Sequence, residues 1–381
     1  MIRRHLTRRR VLGTLIAAPF AATLTDPALA APARRWRVAG ERVDGLEGLD
    51  IAMQSLMQRQ GIRSGALAVA RAGELLFEHA YTWAQADYPE LRPDSPFRHA
   101  SVVKAFTAAL IYRLAEERAL ALDTQVFGLL GLDHPARGTA PRDPRLDLIT
   151  VRHLIDHRGG WDQQISRFDP VFRMRDVARR LGLHAGPRKS DIARLVAREP
   201  LQFAPGTQSR YSNVGYLLLG MAAETAMKTD YVAALKTRVT GPLGIDAIAV
   251  ARTRKDQRLD GEGFYDQPGT GLTPEFPDRD VPAPLPYGGG GFLTESMDSV
   301  AGLAVSAGAV ARLIGHYAVS GFGPRRHGQT SARSGIMSGT TSFAISRADG
   351  LDVCLVVNTR SLAIDATTLE ITRVLDEARL T

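Results

Sequence analysis

The two ends of this chain read as strands and its middle reads as helices, and no other feature of the sequence constrains the fold as much. Near the start, Ala66 to Arg71 and Glu74 to Tyr81 are alternating apolar stretches around the turn pair Ala72-Gly73. Near the end, Ser342 to Arg347 and Leu351 to Asn358 repeat the pattern around Ala348-Asp349-Gly350. Between them the apolar spacing is helical in Val102 to Ala119, Val151 to His157, Ser190 to Arg198, Asn213 to Met227, Tyr231 to Thr237 and Asp298 to His316. Leu46 to Gln60 predicts a further helix stopped by Gly61, and Asp365 to Leu380 a closing one. A lone hairpin is marginal in water. The two hairpins therefore share one antiparallel sheet formed by both chain ends and flanked by helices, with a mostly helical lobe inserted at about residues 105–325. The class is α+β and two-lobed, and a cleft between lobes is where a ligand binds. Val250 to Pro286 is rich in Pro, Gly, Asp and Arg and reads as a long irregular excursion.

The first thirty residues read as an address. Met1 to Arg10 holds five arginines, Val11 to Leu24 is a short apolar stretch, and Ala28-Leu29-Ala30 places small residues at a cleavage site. Thr7-Arg8-Arg9-Arg10-Val11-Leu12 resembles the twin-arginine export signal. The expectation is a signal peptide at 1–30, a single domain at 31–381, and a periplasmic or secreted product. No later run reaches about 18 apolar residues, so no membrane anchor is expected. Half of the formal net charge of +8 lies in residues 1–30, which leaves too mild a charge for a nucleic-acid footprint. A monomer is favoured. The one cysteine, Cys354, lies in an apolar run, cannot form an internal disulfide, and reads as an inert buried thiol, so stability rests on the core.

Ser101-Val102-Val103-Lys104 carries the chemistry. At i and i+3 the two polar side chains share a helix face, so the amine can take the proton that makes the hydroxyl nucleophilic. Only 5 of the 48 basic residues are lysines. Arginine cannot be deprotonated in a protein whereas a buried lysine can, so a base is one of few tasks that exclude Arg. The competing reading is an ordinary solvated helix lysine.

Three further segments turn this pair into a family resemblance. They are Phe203-Ala204-Pro205-Gly206-Thr207 followed by Tyr211-Ser212-Asn213-Val214-Gly215-Tyr216; Ile149 to His157 ahead of Gly159-Gly160; and Gly241-Pro242-Leu243-Gly244-Ile245. With Leu122-Asp123 after the Ser101 helix, they resemble the serine β-lactamase and penicillin-binding-protein superfamily, in its class C-like branch of hydrolases, esterases and D-stereospecific peptidases. The resemblance runs from about Leu46 to Leu375. It implies Ser101 as acylated nucleophile, Lys104 and Tyr211 handling protons, the Tyr211 phenol having its ionised form favoured, and Asn213 orienting Lys104 and the substrate carbonyl. It implies a third motif on the strand lining the cleft, where the branch shows Lys-Thr-Gly or His-x-Gly. Here the best match is Arg333-Ser334-Gly335, followed by Ile336. An arginine there can anchor a substrate carboxylate but cannot shuttle protons. Gly335 lets substrate approach, and the N–H groups of Ser101 and Ile336 would form the oxyanion hole. His327 is a nearby alternative cation.

Two weaker signals point elsewhere. His153 and His157 have the i, i+4 spacing of a helical zinc pair but lack its Glu and a third ligand. Tyr287-Gly288-Gly289-Gly290-Gly291 lacks the Gly-Lys-Ser/Thr ending of a phosphate loop. The reading is an exported serine hydrolase that needs neither metal nor organic cofactor and acts on a small molecule or peptide, cell-wall fragments included. The rival is a penicillin-recognising binding or sensor protein with little turnover. β-Lactams, D-Ala-D-Ala peptides, D-amino-acid amides and esters all fit the same motifs.

Overall fold

The computed structural model describes residues 36–83, 88–133, 142–360 and 364–378, so the signal-peptide reading at 1–30 lies outside the described residues. Six strands form the main sheet: β1 (Arg37–Ala39), β2 (Ser64–Arg71), β3 (Glu74–Thr82), β4 (Ser331–Met337), β5 (Thr340–Ser346) and β6 (Leu351–Val357). Their order is β1-β3-β2-β6-β5-β4, all antiparallel. The junction of the two chain ends is the β2–β6 pairing, with Val69 opposite Val353 and Leu67 opposite Leu355.

Alternation along these strands decides what covers each face. Leu67, Val69, Val353 and Leu355 pack under α1 (Glu47–Gln60) and α5 (Ile364–Ala378) through Leu49, Met53, Leu56, Ile371 and Leu375. The opposite set is small: Ala66, Ala68, Ala70 and Ala344. Small side chains let α4 (Ala307–His316) lie close to the sheet with Val310, Ala311 and Ile314 inward, and the same core runs on into the helical lobe. Cys354 is fully buried on this face, where burial pushes its thiol up and keeps it inert. Among the described residues no helix is long and apolar enough to cross a membrane.

The helices lie where the periodicity places them, with one clear correction. The helix expected over Asp298 to His316 starts only at Ala307, because Ser306 caps it, its Oγ accepting from the Ala309 N–H at 3.0 Å. The preceding Leu303–Val305 is a strand between Phe97–Arg98 and Ala249–Val250. Short apolar runs do not distinguish strand from buried helix. The excursion after Val250 also contains a small hairpin, Thr270–Leu272 with Pro282–Pro284.

That excursion is tied to the strand leading into Ser101. Arg98 is fully buried, donates through Nη1 to the Pro286 carbonyl at 2.7 Å, and stacks 4.2 Å from the Tyr265 ring centroid. The Tyr265 hydroxyl donates to Glu262 at 2.6 Å and accepts from the Arg98 N–H at 2.8 Å. Glu262 lies 3.8 Å from Arg98 Nε, so two buried charges sit within one network, which offsets their desolvation.

Candidate active site

Ser101 is the middle residue of a 3-10 turn, Ala100–Val102, that opens α2 (Val103–Glu116). Ala100 holds φ at +46°, a left-handed conformation costing about 1 kcal/mol for a non-glycine residue, and so turns the chain sharply at Ser101. One helical turn on, Lys104 is fully buried, with Nζ 3.2 Å from Ser101 Oγ and donating to the Val300 carbonyl at 3.1 Å. The carbonyl is held by its neighbour: the Ser299 carbonyl accepts from Thr107 at 2.6 Å, and Ser299 Oγ donates to the Tyr216 carbonyl at 3.0 Å.

Burial drives the Lys104 amine well below its ordinary pKa; the Arg333 charge pushes the same way and Asp169 opposes. The solvated-lysine reading therefore fails. Tyr211 Oη lies 2.6 Å from Ser101 Oγ on the other side. Its phenol is raised, not lowered: desolvation outweighs the Ser101 hydrogen bond and the Arg333 charge. The expectation of a favoured phenolate is corrected, because desolvation of the hydroxyl disfavours its ionised form more than the neighbouring groups favour it.

α3 (Asn213–Met227) begins with Ser212 as its cap and carries Asn213 in its first turn. Asn213 Nδ2 donates to Asp169 Oδ2 at 2.7 Å, while Oδ1 is buried without a hydrogen-bond partner. No hydrogen bond joins Asn213 to Lys104, so the expected orienting contact is not made in this state; the amine is held by Val300 instead. Asp169, which the sequence reading missed, also accepts from Gln163 Nε2 at 2.9 Å and from the Val171 N–H at 3.1 Å.

His157 packs between Tyr211 and Tyr216, with centroids 4.8 and 5.0 Å away, and its Nδ1 accepts the Ser212 N–H at 3.2 Å. Burial, then Lys104 and Arg333, push it down to about 3, so it is neutral and latches the Tyr211 segment. His153 uses Nδ1 to accept the Thr150 N–H at 3.3 Å within its own helix cap. Each ring of the suspected zinc pair thus has a nitrogen committed to a backbone donor.

The third motif lies on β4. Gly335 pairs with Ser342, whose Oγ donates to the His99 carbonyl at 2.7 Å. A Cβ at Gly335 would stand 2.3 Å from that carbonyl and 2.8 Å from the Ser101 nitrogen, so only glycine lets the edge strand lie beside Ser101. Arg333 donates from Nε to the Val319 carbonyl at 2.8 Å, and its charge acts on Lys104, His157 and Tyr211. Ser334 and Ile336 are exposed, and alternation puts their side chains on the face away from Gly335, so what they offer the Ser101 side is backbone. His327 is exposed and precedes the strand.

A Ser-x-x-Lys pair at the start of a buried helix, beside an antiparallel sheet made from both chain ends, defines the serine β-lactamase and penicillin-binding-protein superfamily. Residues 49–356 match the family model described as Beta-lactamase, and the chain belongs to that family. Esterase EstB of Burkholderia gladioli is 32% identical over 206 residues, 52% of this chain and 49% of that protein. Penicillin-binding protein 4* of Bacillus subtilis is 27% identical over 215 residues, 55% of this chain and 43% of that one. The chain thus spans less than half of the curated relatives it matches. The D-amino acid amidase of Ochrobactrum anthropi SV3, solved with D-phenylalanine, superposes with a TM-score of 0.62 at 17% identity, covering 89% of this chain and 100% of that one. At that identity the likeness shows the fold.

Proposed function

We propose that this protein is an exported serine hydrolase that works through an acyl-enzyme on Ser101. The carrying observation is the fully buried Lys104 amine, 3.2 Å from Ser101 Oγ and held well below its ordinary pKa. A neutral amine there accepts the hydroxyl proton as Oγ attacks a substrate carbonyl. The N–H groups of Ser101 and Ile336 receive the developing oxyanion. Tyr211, 2.6 Å from Oγ, delivers a proton to the leaving group, and water then deacylates Ser101. A positioned base supplies about 10²–10⁴-fold and one oxyanion donor a further ~10²–10³.

Ester and amide carbonyls are the substrate class that the relatives' names support, with β-lactams and D-Ala peptides next. Arg333 replaces the Lys or His of the branch and would hold a substrate carboxylate in place. The test is a fluorophosphonate label followed by peptide mass mapping, with ester, D-amino-acid amide, D-Ala-D-Ala peptide and β-lactam substrates assayed beside it. Label on Ser101 with turnover supports the proposal. Permanent label without turnover of any substrate would favour the sensor reading, which the replacement of the branch's Lys or His by Arg333 motivates.

A further inference from the structure

We propose that Asp169 is a positioning residue of the catalytic centre: it fixes which end of the Asn213 amide faces the catalytic lysine and stands as the negative charge opposed to Arg333. The inference rests on the acyl-enzyme reading above.

A carboxylate only accepts, so the Asn213 atom 2.7 Å from Asp169 Oδ2 is its nitrogen, and the amide orientation is assigned by its partner. The other end, Oδ1, is then a buried acceptor with no partner. Asn213 and Tyr216 are three residues apart on α3 and share a face, and the Tyr216 ring centroid is 5.7 Å from Lys104 Nζ, so that face looks toward the lysine. A neutral Lys104 already has the Val300 carbonyl and the Ser101 hydroxyl for partners. Once it takes the serine proton it has three N–H donors, and the Asn213 carbonyl is the acceptor left without one. Leaving a buried acceptor unpaired costs about 1–3 kcal/mol, so the resting site holds an arrangement that improves when the amine becomes charged.

Asp169 cannot turn away easily, because Gln163 Nε2 and the Val171 N–H hold both of its oxygens. The groups acting on Lys104 from the packed elements are Arg333 on β4, Asp169 on its loop, and neutral Tyr211, Tyr216 and His157. Asp169 favours the ammonium and Arg333 disfavours it.

The chain contains only five lysines, so Lys104 can be read by NMR of the exported protein carrying lysine labelled at Cε with carbon-13, without any substrate. Asp169→Asn should lower the Lys104 titration midpoint by about half a unit or more. It should also slow acylation about 10- to 100-fold at a pH where Lys104 is neutral in both proteins, because the amide can then flip. Asp169→Glu, which moves the carboxylate by one methylene, should restore most of the midpoint and only part of the rate. An unmoved midpoint in folded Asp169→Asn overturns the inference. Should that variant not fold, Asp169→Glu decides: a midpoint and rate both equal to wild type overturn it. A wild-type protein that is never labelled on Ser101 would sink the acyl-enzyme reading while the titration still reports on Asp169.

Discussion

The Lys104 amine and the Ser101 hydroxyl are 3.2 Å apart, and only the hydroxyl side of that contact is open, because Lys104 is fully buried. Of the two groups that hold the buried amine, the Val300 carbonyl and the Ser101 hydroxyl, only the hydroxyl has a proton to exchange with it.

Ser101→Ala should abolish acylation and leave melting unchanged. Lys104→Arg should cost about 10²–10⁴-fold, since guanidinium stays charged and cannot accept the serine proton. Stopped-flow acylation with a chromogenic ester decides it; wild-type rates in Lys104→Arg would reduce the lysine to a charge.

Gly335→Ala should lose most activity while the protein still folds. The added methyl meets the His99 carbonyl and the Ser101 nitrogen, both backbone, so the edge strand must retreat from the nucleophile. A displacement of about 1 Å is worth roughly 100-fold in rate. Undiminished kcat/KM would show that β4 does not line the reacting centre.

Stability should fall in acid through two histidines. Burial holds His99 down to about 4, and His157 is pushed down to about 3, both below the free value. Folded-state values below the unfolded value stabilise above about pH 6.5, and that contribution is lost as pH drops from there toward 4 and then 3. For the fully buried His99 this amounts to about 3 kcal/mol. Calorimetry from pH 7.5 to 4 should show a falling Tm, with a shallower slope in His99→Leu. Parallel slopes in the two proteins would remove His99 from the account.

How much of this was legible depends on the range of the signal. The sheet from both ends, the helix over Asn213–Met227 and the Ser101/Lys104 pair follow from local periodicity and i, i+3 spacing, which a single chain displays. Asp169 carried no such signal, since an Asp-Pro pair in a loop looks like a turn and its meaning comes from Asn213, 44 residues away. Arg98 and Glu262 were equally silent, being separated in sequence and joined only by burial. The Tyr211 reading went wrong on charge state: proximity to a lysine was legible, the desolvation of the phenol's own hydroxyl was not.

Export is tested through Arg8 and Arg9. Mature protein should begin near Ala31 outside the cytoplasm, and changing both arginines to Lys should leave an uncleaved precursor inside. Normal export of the double variant would assign the general secretory route.

Arg333→Ala should separate two effects of the arginine. As an anchor, its loss in Arg333→Ala should lower kcat/KM about 10- to 100-fold for substrates bearing a carboxylate and little for neutral short esters, the size of a charge-assisted bond of about 1.5–3 kcal/mol. As a charge near Lys104 it disfavours the ammonium, so removing it should move the acid limb of the pH profile upward for every substrate, neutral ones included. Comparing the two substrate types on the high-pH plateau isolates anchoring, and comparing limb positions isolates the charge. Arg333→His should recover anchoring only below about pH 6.5, where imidazole is charged. Equal plateau losses for neutral and anionic substrates would contradict anchoring and leave the guanidinium, tied through Nε to the Val319 carbonyl, as a brace for the end of β4.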